Sequence, residues 1–141
     1  MLQFSSKFNL LSNELCSSII AIDNHITFVA IINENGMVDE SQSRNCIIDK
    51  LPKTRKEMFF MENALRHRMR EEYDGDLGQE RFTYVERDKR GLLSFPLNNQ
   101  LLLISFLRNH VKPIVLANRI THLVHRYQQK LKDKSLIRIS S

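Results

Sequence analysis

The sequence predicts an α+β domain. Its core is a five-stranded, mainly antiparallel sheet with helices on both faces, in the order α-β-β-α-β-β-β-α. Three observations carry this. Apolar residues recur at helical spacing in three separate stretches. Short β-branched and aromatic runs fall between them, separated by turns too short for crossovers. One strand, Gln100 to Phe106, holds Leu101-Leu102-Leu103-Ile104 and is apolar on both faces. Such a strand needs cover on each side of the sheet, from helices or from a helix and a partner subunit.

The first helix reads as Phe8 to Ile22, because Leu11, Leu15, Ile19 and Ile22 share one face. Asp23-Asn24 ends it. His25 to Ile32 is rich in β-branched and aromatic residues and too short and apolar for a surface helix, as in a buried strand. Asn33-Glu34-Asn35-Gly36 supplies residues that tolerate positive φ, which predicts a hairpin turn. Met37 to Glu40 then makes a short polar edge strand. Residues 41–51 lack periodicity and read as a connection.

The second helix opens near Pro52, with Thr54 as cap and Glu57 completing a capping box. Met58, Met61, Leu65 and Met69 form its apolar stripe, with Phe59 and Phe60 beside it. Glu62 and Arg66 make an i,i+4 pair. Tyr73-Asp74-Gly75-Asp76-Leu77-Gly78 stops the helix. Arg81 to Glu86, Leu92 to Pro96 and Gln100 to Phe106 are three further strands, with a turn at Arg87 to Gly91. The last helix starts near Asn109 and tolerates Pro113 in its first turn. Ile120, Val124, Tyr127 and Leu131 face the core. No repeat or linker interrupts residues 1–141, so one domain is expected, with 133–141 a C-terminal extension.

The chain has 141 residues and a formal net charge of +5. The charge is uneven: residues 1–50 carry three cations and six anions, residues 91–141 eight and one. No apolar run approaches the ~18 residues of a membrane span. The N-terminus lacks the pattern of a secretory signal, so a cytoplasmic location without membrane attachment is expected. Cys16 and Cys46 are too few for a disulfide framework and read as small core residues.

The element order resembles the roadblock/longin group within the profilin-like architecture. Two stretches, Glu72 to Gly78 and Leu92 to Asn99, also look like an uncharacterised protein family of ammonia-oxidising archaea, which brings no activity and no functional residues. The roadblock resemblance implies dimers that act as platforms for small GTPases and other proteins.

Several chemistries are disfavoured by the residues. The glycines Gly36, Gly75, Gly78 and Gly91 form no phosphate loop, so no cofactor is expected. His122 and His125 stand i,i+3 on a helix but have no further metal ligands by spacing. Asp74 to Glu80 resembles a calcium loop without its closing acid, since Val85 holds that position. No nucleophile motif occurs, so the chain is not expected to be an enzyme.

Two partner surfaces remain. On helix two, Met58, Phe59, Phe60 and Met61 spread over about 300° and cannot share one face. Some must leave the sheet, which predicts a homodimer interface of Met58, Phe59, Phe60, Met61, Asn63, Arg66 and Met69. The second surface is basic: Arg87, Lys89, Arg90, Arg126, Lys130, Lys132, Lys134 and Arg138 could contact nucleic-acid phosphates. The leading expectation is a regulatory or scaffold homodimer. A nucleic-acid-associated regulator comes second and a small-ligand sensory domain third.

Overall fold

The computed structural model describes the backbone of residues 2–140 and the side chains of residues 10–134. Helix α1 spans Leu2–Ile20, β1 Ile26–Asn33 and β2 Val38–Ser43. A single 3-10 turn at Ile47–Lys50 leads to α2, Lys53–Glu71, and a one-turn helix α3, Asp74–Leu77. Then come β3 Thr83–Glu86, β4 Arg90–Leu97 and β5 Gln100–Leu107, a 3-10 turn at Arg108–His110, and α4 Pro113–Ser140.

The five strands form one antiparallel sheet in the order β2-β1-β5-β4-β3. β1 and β5 lie at its centre, with Val29 opposite Ile104 and Ala30 opposite Leu103. Both strands are buried nearly end to end, and both faces are covered by helices.

One face carries α1 and α4. Leu11, Leu15, Cys16 and Ile19 of α1 and Leu116, Ile120, Val124 and Tyr127 of α4 pack on Val29, Ile31, Leu93, Phe95, Leu102 and Ile104. The Ser12 and Tyr127 hydroxyls meet at 3.2 Å and tie the two helices together inside this layer. The other face carries α2 alone. There Phe28, Ala30, Ile32, Leu101 and Leu103 meet Phe60 and Ala64, with Cys46 and Ile48 at the margin. Alternation along β1 and β5 sends successive side chains to the two layers, as the pleat requires.

Several local expectations change. β2 runs on through Ser43, so residues 41–51 hold half a strand and a 3-10 turn. Helix α2 begins at Lys53. Thr54 is inside the first turn, and Pro52 occupies the cap position with its carbonyl accepting from Lys56 N–H at 3.0 Å. Proline lacks an N–H, which suits an end where that donor would be idle. The first strand after α2 starts at Thr83 rather than Arg81. Gly91 belongs to β4, not to the turn, and leaves room for the Phe106 ring laid over it. Helix α4 begins at Pro113, because Arg108–His110 forms a separate 3-10 turn. The backbone of α4 continues unbroken through residues 133–140.

Candidate interaction surface

Helix α2 turns a narrow face to the sheet. Only Phe60, Ala64 and His67 are buried, at spacings of four and three. The Phe60 ring stacks on Phe28 with centroids 5.8 Å apart, and Phe59 meets Phe60 edge-on at 5.4 Å. The helix's apolar stripe faces away from the sheet. Met58, Met61, Leu65 and Met69, spaced three, four and four, are each between 54% and 62% exposed.

Two contacts fix this rotation. Ala64 is small enough to lie flat against the sheet. Gly36, in the β1–β2 turn, abuts the α2 backbone at Phe60 and Met61. The helix is therefore pinned at its middle, and Met61 is turned away from the core. Met37, the residue after Gly36, is also exposed.

The seven residues expected at the interface divide accordingly. Met58, Met61 and Met69 lie together on the outer stripe. Phe59 is half-buried at its edge. Asn63 is half-buried and donates back to the Phe59 carbonyl at 2.8 Å. Arg66 is exposed and paired with Glu62 at 2.6 Å. Phe60 is a correction: it is a core residue, because its ring fills the space over Phe28. Leu65 belongs with the stripe, as its spacing from Met61 and Met69 shows.

The basic residues divide into two groups. Arg87 and Lys89 are exposed at the β3–β4 turn, where Arg90 starts β4 half-buried with one guanidinium nitrogen enclosed and unbonded. Arg126, Lys130 and Lys132 are exposed on α4, and Lys130 lies 3.8 Å from Glu14. Lys134 is half-buried, and the Arg138 side chain lies outside the described residues. Arg108 bonds the Asp88 carbonyl, so the turn sits near the start of α4. Arg126 is thirteen residues further along α4, ~20 Å at 1.5 Å per residue. The two groups therefore do not make one continuous patch.

Histidines pair elsewhere. His25 stacks on His110 with ring centroids 4.3 Å apart. The Asp23 carboxylate accepts from the His25 backbone N–H at 2.7 Å, and this bond chiefly holds its pKa below the ordinary value. His67 Nε2 lies 3.0 Å from Glu71, beside a polar cleft of about 240 Å³ lined by Asn33, Glu34, Arg68 and Asn98. Among the described residues, no group of three or more His, Cys, Asp or Glu is placed to hold a metal ion. No helix among them is long and apolar enough to cross a membrane.

A five-stranded antiparallel sheet with one helix on one face and the terminal helices on the other defines the roadblock/profilin-like fold. Solved structures agree. The Roadblock/LC7 domain of Streptomyces avermitilis aligns with a TM-score of 0.65 at 16% identity, over 85% of this chain and 97% of that one. Myxococcus xanthus MglB aligns at 0.65 and 14% identity, over 92% and 90%. Acanthamoeba castellanii profilin II aligns at 0.58 and 12% identity, over 84% and 98%. The chain has this fold. No family model and no curated protein matches it.

Proposed function

We propose that this chain is a non-enzymatic interaction platform that self-associates through the outer face of α2. The observation that carries the reading is the stripe of Met58, Met61, Leu65 and Met69, aligned and more than half exposed on a helix that turns Phe60, Ala64 and His67 to the rest of the fold. A contiguous apolar helix face leaves water most economically against a second copy of itself across a twofold axis. Thioether side chains repack at low cost, which suits such a contact. The edge strands β2 and β3 leave one side of their backbones unpaired in the sheet, so pairing across the axis can extend the contact. A structure of MglB with the same fold has a tetrameric arrangement, which supports self-association as a use of this architecture. The paired unit then acts as a regulatory scaffold for another protein in the cytoplasm. A small GTPase is the partner class implied by the roadblock resemblance.

Size-exclusion chromatography with light scattering tests the first step. The wild-type chain runs as a dimer or larger at micromolar concentration, and Met61→Glu with Leu65→Glu runs as a folded monomer. A wild-type monomer overturns the reading. Retrieval of a GTPase with the wild-type chain, and not with the monomeric variant, tests the second step.

A further inference from the structure

The opposite layer carries a groove that the self-association face does not use. It is a shallow, open groove of about 790 Å³ between the C-terminal end of α1 and the middle of α4. Ala21, Ile22 and Leu123 give it an apolar lining, and α4 contributes Arg119, His122, His125 and Arg126. α1 adds only Ser18 to the polar lining, and no carboxylate lines the groove. Neither Arg119 nor Arg126 makes an ion pair or side-chain hydrogen bond among the described residues. The nearby acids have other partners: Asp23 accepts from His25, Asp133 accepts from Gln129 at 3.3 Å, and Glu14, which lines the adjoining cleft with Arg126, lies 3.8 Å from Lys130.

We infer that this groove docks an acidic amphipathic helix of a partner protein. Charge complementarity selects the occupant. Two guanidinium groups that form no ion pair among the described residues attract carboxylates, and two imidazoles beside them add N–H donors. The apolar lining of Ala21, Ile22 and Leu123 rewards leucine-like side chains and offers nothing to a sugar–phosphate chain. The α4 wall from Arg119 to Gln129 covers eleven residues, or ~15 Å from first to last. That accepts about three turns of a docked helix, with apolar residues at i, i+3 and i+7 on the apolar lining and Glu or Asp beside them. The inference goes beyond self-association because it uses the α1–α4 layer and stands whether or not α2 pairs.

The test is an anisotropy titration of the full chain with a fluorescein-labelled helical peptide of about four turns. The peptide carries Leu at helical spacing flanked by Glu, and a matched peptide has Lys for every Glu. Saturable binding of the Glu peptide alone is expected, weakened at least about tenfold by Arg119→Ala with Arg126→Ala. Leu123→Ser weakens it without changing charge. All these side chains are partly or fully exposed, and light scattering on each variant reports whether α2 association persists. Equal binding of both peptides, no binding at low salt, or unchanged binding by the double variant overturns the inference. Displacement of the Glu peptide by a single-stranded oligonucleotide or by anionic-lipid vesicles, tighter than the peptide itself, also overturns it and assigns the groove to that ligand.

Discussion

The Cα of Gly36 rests against the backbone of Met61. A methyl group at Gly36 would stand 2.7 Å from both the nitrogen and the Cα of Met61, with Gly36 at φ +81°. No side chain fits there, and L-residues resist that backbone angle. The contact sets how closely the β1–β2 turn approaches α2, and so which face of α2 looks outward. Gly36→Ala therefore costs about 2–3 kcal/mol, from strain and displacement together. Gly75 is the control: nothing lies within 4 Å of a methyl there, and its φ is not positive. Gly75→Ala stays within about 0.5 kcal/mol of wild type. Urea unfolding of the two variants measures both values.

Phe60 and Met58 are two residues apart and have opposite fates. Phe60 is buried between Phe28 and Phe59, while Met58 points outward. Phe60→Ala should lower stability by about 3–5 kcal/mol, as expected for emptying an aromatic site in a core. Met58→Gln should leave the monomer within about 0.5 kcal/mol. Unfolding measured well below the association concentration separates this from any effect on self-association. Equal losses from the two substitutions would mean that α2 is rotated relative to the arrangement described.

The contrast shows what the sequence could and could not disclose. Strands β1 and β5 are legible because a short, nearly continuous apolar run bounded by turn residues has few other fates. Leu101 to Ile104 demand cover on both faces, from helices or from a helix and a partner subunit, and α2 on one face with α1 and α4 on the other supply it. The rotation of α2 was not legible. Its apolar residues outnumber the positions one face can take, and Met58, Met61, Leu65 and Met69 make the better helical stripe. The choice falls to Phe60 and Ala64 through contacts with Phe28, Leu103 and the Gly36 turn, all distant in sequence. The groove between α1 and α4 was equally hidden. Arg126 counted only as a cation, and its position beside Ile22 depends on how two terminal helices pack.

Arg44 fastens the end of β2 to the α1–β1 connection. Its guanidinium donates to the carbonyls of Ile20 at 3.1 Å, Asp23 at 3.1 Å and Ile26 at 2.9 Å. A planar fork with several N–H groups can serve three acceptors at once, whereas an ammonium on a flexible stem is poorly placed to do so. Arg44→Met is expected to cost about 1–2 kcal/mol, mostly from the half-buried Ile26 acceptor. Arg44→Lys should recover little of it. Hydrogen exchange read at Ile26 and Leu107, whose N–H groups bond the Asp23 and His25 carbonyls, reports the loosening directly. Full recovery by lysine would show that charge alone, and not the fork, holds the connection.

Cys16 predicts the alkaline limit of the fold. Burial, with a smaller contribution from the Glu40 charge, pushes its thiol from 9.0 up to about 12. Above pH 9 the unfolded chain gives up that proton and the folded chain keeps it. The unfolded state is then favoured, and stability falls as pH rises from about 9 toward 12. Three pH units correspond to at most about 4 kcal/mol at 1.36 kcal/mol per unit. Tyr127, raised chiefly by burial in the same layer, adds to the loss in the same direction at the upper end. Cys16→Ala should cost about 1 kcal/mol at pH 7 through the lost sulfur contacts. It should nevertheless flatten the decline between pH 9 and 11. Denaturant midpoints at pH 7, 9 and 10.5 read this out, and parallel curves for the two proteins would show that Cys16 is not the group responsible. The same burial makes the thiol slow to alkylate at pH 8 until the chain is unfolded, a rate measured separately from the midpoints.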